Sequence, residues 1–174
     1  MRKLKVLSAA ILVGMTTASA LAAVQLYHTV EGTALDLSFA LEEGRDTEAV
    51  KHFLATGEDL YTTQEAVLPE GESLYLTACS GCHGHNGEGK IGPGLNDDYW
   101  TYPKNGTDKG LFETIYGGAQ GMMGPQYGNL TLDEMLKVIA WVRHLYVGDP
   151  DKADWLTPEQ RANFTPYEPK HGTK

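Results

Sequence analysis

Cys79-Ser80-Gly81-Cys82-His83 is the stretch from which the fold of this chain can be inferred. Two thiols three positions apart can each form a thioether with a haem vinyl group, and the histidine that follows can bind the iron. The pattern predicts one covalent haem c, attached through Cys79 and Cys82, with His83 as an axial ligand. Two alternatives are a disulfide-exchange motif, which would follow a strand in a βαβ pattern that is absent here, and half of a zinc site, which would need a second ligand pair.

Helical patterns lie on both sides of this motif. Pro69 marks the start of a helix that runs into the cysteines, with Leu74, Tyr75 and Ala78 on one face. The glycine-rich residues 84–95 predict irregular backbone held against a flat group, with Ile91 and Leu95 packed.

Three further helices are predicted away from the motif. A short helix over 47–54 should end at Gly57, and another over 109–116 should end at Gly117-Gly118. Thr131 and Glu134 form a capping box for the best helix, which should extend to about Tyr146. The tail is predicted as polar turns in which Trp155 contacts the body of the protein.

The N-terminus has the pattern of a secretory signal peptide. Arg2, Lys3 and Lys5 precede a short apolar run, and small residues with an A-x-A site follow, which predicts cleavage after Ala22. A retained membrane anchor is the alternative, but the run is too short to span a bilayer. The expected organisation is a signal peptide over 1–22, an N-terminal extension over 23–67, a haem domain over 68–147 and a C-terminal tail over 148–174.

The charge of the chain bears on its partners. The formal net charge of -9 becomes -12 when the three signal-peptide cations are removed. An acidic protein is not expected to bind nucleic acid, and a basic protein surface is the expected partner. A Gram-negative periplasm is the expected location.

The sixth coordination position of the iron determines the function, because an occupied site carries electrons and an open site does chemistry on small molecules. The loop Gly121-Met122-Met123-Gly124-Pro125 favours occupation by a thioether. Adjacent residues of an extended loop point to opposite sides, so only one of Met122 and Met123 can face the iron.

The order of these elements resembles class I cytochromes c over about 68–146. The family's helix-crossing positions match Gly71, Tyr75 and Trp141, and its loop carbonyl matches Pro93, which would accept the Nδ1–H of His83. Four stretches, with Gly44–Thr47 and Thr56–Glu58, extend the likeness to the cytochrome c-L family: Cys79–His85, Gly94–Pro103, Gly117–Pro125 and Ile139–Tyr146.

The resemblance implies an all-α fold with about three to five helices around one covalent haem and irregular extensions at both ends. It implies an electron-transfer protein, not an enzyme, that accepts single electrons from a PQQ-dependent methanol dehydrogenase and passes them to a downstream cytochrome c. The family spacing places the axial thioether at Met123, with Met122 as the fallback. Some relatives also bind calcium, for which no ligands are assigned here.

Two other functions are compatible with the motif. The chain could carry electrons for a different periplasmic dehydrogenase, which the sequence does not distinguish. It could also be an enzyme or gas sensor with an open haem site, which ligand occupancy would distinguish.

Overall fold

The computed structural model describes residues 23–169, and the predicted signal peptide lies outside this range. Six α-helices are present there: α1 Glu48–Thr56, α2 Leu68–Ala78, α3 Ser80–His83, α4 Asp108–Gly117, α5 Leu132–His144 and α6 Pro158–Ala162. Short 3-10 turns cover Leu37–Phe39, Leu60–Thr63, Glu65–Val67, Pro103–Gly106 and Pro150–Lys152. The described residues contain one isolated bridge, between Tyr27 and Ala34, and no strand. The all-α prediction is therefore confirmed.

Helix α1 begins and ends through local hydrogen bonds that the sequence indicated. The Thr47 hydroxyl accepts the Val50 N–H at 3.3 Å, which satisfies one of the free donors of the first turn. At the other end Gly57 has φ +81°, and its N–H donates to the Phe53 carbonyl at 2.7 Å. This left-handed conformation favours glycine, so the predicted stop at Gly57 is confirmed. The helix itself ends at Thr56, two residues beyond the predicted Leu54.

Helices α2 and α5 cross at Gly71, and this crossing is the centre of the core. A Cβ atom added at Gly71 would overlap the Lys137 carbonyl oxygen and would lie 3.2 Å from the Trp141 Cβ atom. Glycine therefore lets the two backbones approach. Tyr75, one turn further along α2, is completely buried. The crossing brings the C-terminal end of α2, where the cysteines lie, onto α5.

Among the described elements, helix α5 supplies the largest share of the buried apolar side chains. Its predicted capping box is present, since the Glu134 N–H donates to the Thr131 hydroxyl at 3.1 Å and the Glu134 carboxylate accepts the Thr131 N–H at 2.8 Å. An apolar face that continues past the end of the helix is buried: Leu132, Met135, Leu136, Ile139, Val142, Leu145 and Tyr146. This helix is the platform against which the other elements pack.

The N-terminal segment is joined to α5 through Asp133. This buried carboxylate accepts hydrogen bonds at 2.7 Å from both Thr47 and Tyr61, and its second oxygen lies 3.0 Å from Lys137 Nζ. These bonds to its charged form hold the pKa of Asp133 below its ordinary value, although burial opposes the shift. The extension is therefore held against the body by a charged group.

The tail is joined to the body through Arg143. The guanidinium lies 4.0 Å from the Trp155 ring centroid and 5.2 Å from that of Trp100. It donates from Nε to Asp108 at 3.1 Å and from Nη2 to the Asn105 carbonyl at 2.9 Å. The predicted contact of Trp155 with the body is confirmed.

Three details differ from the sequence expectation. The tail, predicted as polar turns, contains helix α6, which begins at a capping box of Thr157 and Gln160. Ala78 is exposed although it was placed on the buried face of α2, because Tyr75 and Gly71 occupy the crossing. Ile91 is 70% exposed rather than packed, whereas Leu95 does contact the core.

Candidate haem site

The C-x-x-C-H motif lies where α2 passes into α3. Cys79 is the single residue between the two helices, and its backbone angles, φ -120° and ψ -37°, are not those of a regular helix. Its N–H donates to the Tyr75 carbonyl at 2.8 Å, and its own carbonyl accepts from the N–H groups of Cys82 and His83 at 3.1 and 3.0 Å. One compact turn thus holds both thiols and the imidazole.

The two thiols differ in their surroundings. Cys79 is partly buried and packs against the core, whereas Cys82 is exposed, and neither is in a disulfide. Burial, with a smaller contribution from nearby Cys82, raises the pKa of the Cys79 thiol to about 11. Both sulfurs are therefore available for thioether bonds, one at the edge of the core and one at the surface.

The His83 imidazole is buried and has a defined partner on one side. Its Nδ1 atom lies 2.9 Å from the Pro93 carbonyl oxygen. Because a carbonyl can only accept, Nδ1 carries the proton in this pair and Nε2 keeps its lone pair. This is the tautomer that a metal-binding histidine requires when it binds through Nε2.

The loop after the motif is held close to the imidazole by its backbone. The Gly92 N–H donates to the Cys82 carbonyl at 2.9 Å, and the Gly89 N–H donates to the His83 carbonyl at 2.7 Å. A Cβ atom at Gly92 would lie 2.8 Å from His83 Cε1, closer than real side chains approach. Glycine is therefore required where the loop passes the ring, and this is how the Pro93 carbonyl reaches Nδ1.

The methionine loop forms a tight hairpin after α4. The Ala119 N–H donates to the Met123 carbonyl at 2.8 Å, and the Gly124 N–H donates to the Met122 carbonyl at 3.1 Å. Gly118, with φ +81°, starts the hairpin, and a Cβ atom there would lie 2.8 Å from the Met123 carbonyl oxygen. The sequence indicated Gly118 only as a helix stop; its close approach to Met123 depends on the folded hairpin.

The two methionines face different environments. Met123 is partly buried and contacts the hydrophobic core, whereas Met122 is 79% exposed. This arrangement supports the prediction that Met123, rather than Met122, is the thioether directed inward.

The aromatic residues of the segment 96–103 contact two different parts of the protein. Trp100 packs beside Trp155 and Arg143, as a satellite of the core would. Tyr102 instead reaches the methionine hairpin, where its hydroxyl accepts the Gln120 N–H at 3.2 Å. Tyr99 is 72% exposed.

Three other histidines are engaged locally or exposed. His28 Nδ1 accepts the N–H groups of Val30 and Glu31 at 3.3 and 3.2 Å, and His52 Nε2 lies 3.8 Å from Glu58. His85 is exposed. Within residues 23–169, no group of three or more His, Cys, Asp or Glu side chains is arranged to hold a metal ion, so the calcium suggested by the resemblance has no assigned ligands.

The residues present fit a covalent haem. Two free thiols lie on one turn. The buried His83 imidazole is hydrogen-bonded through Nδ1 to the Pro93 carbonyl, and among the described residues its Nε2 atom makes no hydrogen bond. A glycine is required beside that ring, and a second soft donor, Met123, faces inward. Imidazole and thioether are a donor pair typical of an electron-carrying haem iron.

Comparisons with known proteins identify relatives among the c-type cytochromes. The family model for "Cytochrome C oxidase, cbb3-type, subunit III" matches residues 66–142. Cytochrome c-L of Methylorubrum extorquens is 63% identical over 140 residues, which are 80% of this chain and 71% of that protein. The cbb3-type oxidase subunit CcoP of Rubrivivax gelatinosus is 37% identical over 71 residues, 40% of this chain and 23% of that protein.

Two solved structures show the same fold. The crystal structure of cytochrome cL from Methylophaga aminisulfidivorans is 64% identical, with a TM-score of 0.80, and the match covers 84% of this chain and 98% of that one. The structure from Hyphomicrobium denitrificans is 60% identical, with a TM-score of 0.80 over 84% and 88%. Each match covers 84% of this chain, whereas residues 66–174 make up less than two thirds of it. The structural match therefore includes part of the segment that precedes residue 66.

Proposed function

Because this chain belongs to the cytochrome c-L family, whose members are single-haem electron carriers of the class I cytochrome c fold and not enzymes, we propose that its electron donor is a PQQ-dependent methanol dehydrogenase. In this proposal the protein works in the periplasm after removal of residues 1–22 and passes each electron to a downstream cytochrome c. No helix among residues 23–169 is long and apolar enough to cross a membrane.

The length of the match to cytochrome c-L is the observation that supports methanol dehydrogenase as the electron donor. The haem domain alone, over 66–142, is also found in an oxidase subunit, so it supports electron transfer in general. The cytochrome c-L match continues into the flanking segments, at 63% identity over 140 residues. A carrier that keeps these segments together with the haem domain is expected to keep the same donor.

Each site residue has a role in this proposal. Cys79 and Cys82 would attach the haem, and His83 would bind the iron through Nε2 while Pro93 holds the proton on Nδ1. Met123 would be the second axial ligand. Haem c held by these residues would supply a one-electron couple, and the neutral thioether would raise its reduction potential by favouring the ferrous state.

Electrons would enter and leave near Cys82. This thiol is exposed, and so is the neighbouring Gly81, where an added Cβ atom would meet nothing within 4 Å. His83, by contrast, is 8% exposed. The surface around Cys82 is therefore the part of the site that a partner protein can approach.

Stopped-flow reduction of the oxidised protein tests the donor. Purified methanol dehydrogenase should reduce the haem in a second-order reaction, whereas a quinoprotein dehydrogenase for a different substrate should do so much more slowly. Equal rates with both would make the chain a general carrier. No reduction by methanol dehydrogenase would contradict the proposal.

Paired methionine variants test the axial ligand and exclude an open haem site. Met123→Ala should remove the far-red iron-thioether band of the oxidised protein and let the reduced protein bind carbon monoxide. Met122→Ala should leave both properties near those of the native protein. The reverse pattern would assign the ligand to Met122. Rapid carbon monoxide binding by the unmodified protein would favour an enzyme or gas sensor.

A further inference from the structure

The methionine hairpin is anchored firmly at its base and weakly at its tip. At the base, the Gln126 N–H donates to the Ile115 carbonyl at 3.1 Å, and the Gly118 N–H donates to the Thr114 carbonyl at 3.0 Å. At the tip, Gly121 has φ +77° and nothing within 4 Å of an added Cβ atom, and Met122 is 79% exposed. The tip can therefore move away from the protein unless another element holds it.

Tyr102 provides a hydrogen bond to this tip from outside the hairpin. Its hydroxyl accepts the N–H of Gln120 at 3.2 Å, from a position 18 residues earlier in the chain. The donor is the backbone, so the bond restrains the path of the chain and not a side chain. Because Gln120 follows Ala119, whose N–H donates to the Met123 carbonyl, holding the Gln120 N–H also restrains this pairing.

The support behind Tyr102 is rigid. Its carbonyl accepts the Asn105 N–H at 2.9 Å, and the Asn105 side chain is buried, where its oxygen accepts the Thr114 hydroxyl at 2.7 Å. The Arg143 guanidinium donates to the Asn105 carbonyl at 2.9 Å. Tyr102 is therefore held in a fixed position relative to α4 and α5, and its hydrogen bond restrains the hairpin relative to these helices.

We propose that Tyr102 is a positioning residue that keeps the Met123 thioether on the haem iron by holding the hairpin tip through the Gln120 N–H. The inference rests on the proposed function, in which Met123 is the axial ligand. A neutral thioether is a weak ligand whose occupancy depends on the loop that presents it. Loss of the tether makes the open form of the hairpin more populated, so an added ligand can replace Met123 more easily.

Imidazole titration of the oxidised holoprotein tests this inference. Tyr102→Phe removes only the hydroxyl, and one hydrogen bond of ordinary strength predicts about fivefold tighter apparent binding of imidazole. The far-red thioether band should weaken and the reduction potential should fall. Tyr99→Phe is the matched control, because Tyr99 is an exposed tyrosine of the same segment. This variant should bind imidazole as tightly as the native protein does.

A second variant and a direct measurement sharpen the result. Gln120→Ala keeps the backbone donor, so it should leave imidazole binding unchanged. In the reduced native protein, NMR amide exchange at Gln120 should be slow, and it should speed up at least tenfold in Tyr102→Phe. This measurement on the native protein retains its meaning even if the variant folds poorly.

The outcomes separate the inference from the proposed function. If Met123→Ala removes the far-red band while Tyr102→Phe binds imidazole as Tyr99→Phe does, Met123 is the ligand and the positioning role is wrong. If Met123→Ala leaves the band intact, the ligand assignment and the positioning role both fail. Fast exchange of the Gln120 amide in the native protein would also overturn the tether.

Discussion

Replacing Asp59 by Asn should stabilise the protein increasingly as the pH rises. Asp59 is 4% exposed; one oxygen accepts the Tyr61 N–H at 2.9 Å, and the other is buried without a partner. Its charged neighbours are Asp108 on α4 and Arg143 and Asp133 on α5. Arg143 is already paired with Asp108 at 3.1 Å, so it does not fully compensate a second buried carboxylate.

Burial, aided by the nearby charge of Asp108, raises the pKa of Asp59 from 3.8 to about 8. Between these values the folded protein holds a proton that the unfolded chain has released. The free energy of unfolding therefore falls by about 1.4 kcal/mol per pH unit through this window and levels off above it. Over the whole window the loss attributable to Asp59 is on the order of 5 kcal/mol.

An asparagine at this position cannot ionise, so Asp59→Asn removes the loss. Guanidinium unfolding of the holoprotein, followed by far-UV circular dichroism at pH 4.5, 6, 7.5 and 9, measures the effect. The difference in unfolding free energy between the variant and the native protein should be small at pH 4.5 and should grow toward pH 8. Glu58→Gln, at the adjacent exposed carboxylate, is the matched control. A difference that stays constant with pH would refute a protonated Asp59.

Three further predictions concern the helix crossing, the haem ligand and the partner. Gly71→Ala should lower the free energy of unfolding by about 1–3 kcal/mol because the methyl group meets Lys137, whereas Gly81→Ala, where space is open, should change it by less than about 0.5 kcal/mol; equal effects in denaturant would contradict the crossing. Gly92→Ala should displace the His83 ring and shift the visible spectrum and reduction potential, so a variant with native values would show that the loop can yield. Association with methanol dehydrogenase should slow as salt rises, with the limiting electron-transfer rate little changed, because exposed charges are screened beyond about 10 Å at 0.1 M; salt-independent association would exclude electrostatic steering of this acidic chain.

The parts of the fold that follow local rules could be predicted from the sequence. Thr131 with Glu134, and Gly57 after α1, act within a few residues of the helix ends that they determine, so the boundaries follow directly. Helix α6 was predictable by the same rule, because Thr157 precedes Pro158 and Gln160 in a capping-box spacing. Its five residues have no apolar periodicity, so the capping box is the one local signal of this helix.

Features that depend on distant pairs could not be predicted. Asp59, Asp108 and Arg143 are separated by 49 and 35 positions, and nothing in their local sequence distinguishes them from surface charges. The exposure of Ile91 likewise depends on where the loop turns around His83, which Gly92 and Pro93 determine only in the folded state. At the site, the motif indicated Cys79, Cys82 and His83, whereas the hydrogen bond between Tyr102 and the Gln120 N–H joins positions 18 residues apart and has no local signal.

The contacts of Arg143 with Trp100 and Trp155 limit how this protein can be shortened for use as an electron-transfer module in fusion proteins. A module cut at the boundaries of the matching haem domain would end at residue 142, one residue before Arg143. It would lack Asp59, and the partly buried Asp108 would lose its cation. A practical module should therefore retain the chain through α6, which keeps Trp155 together with Arg143.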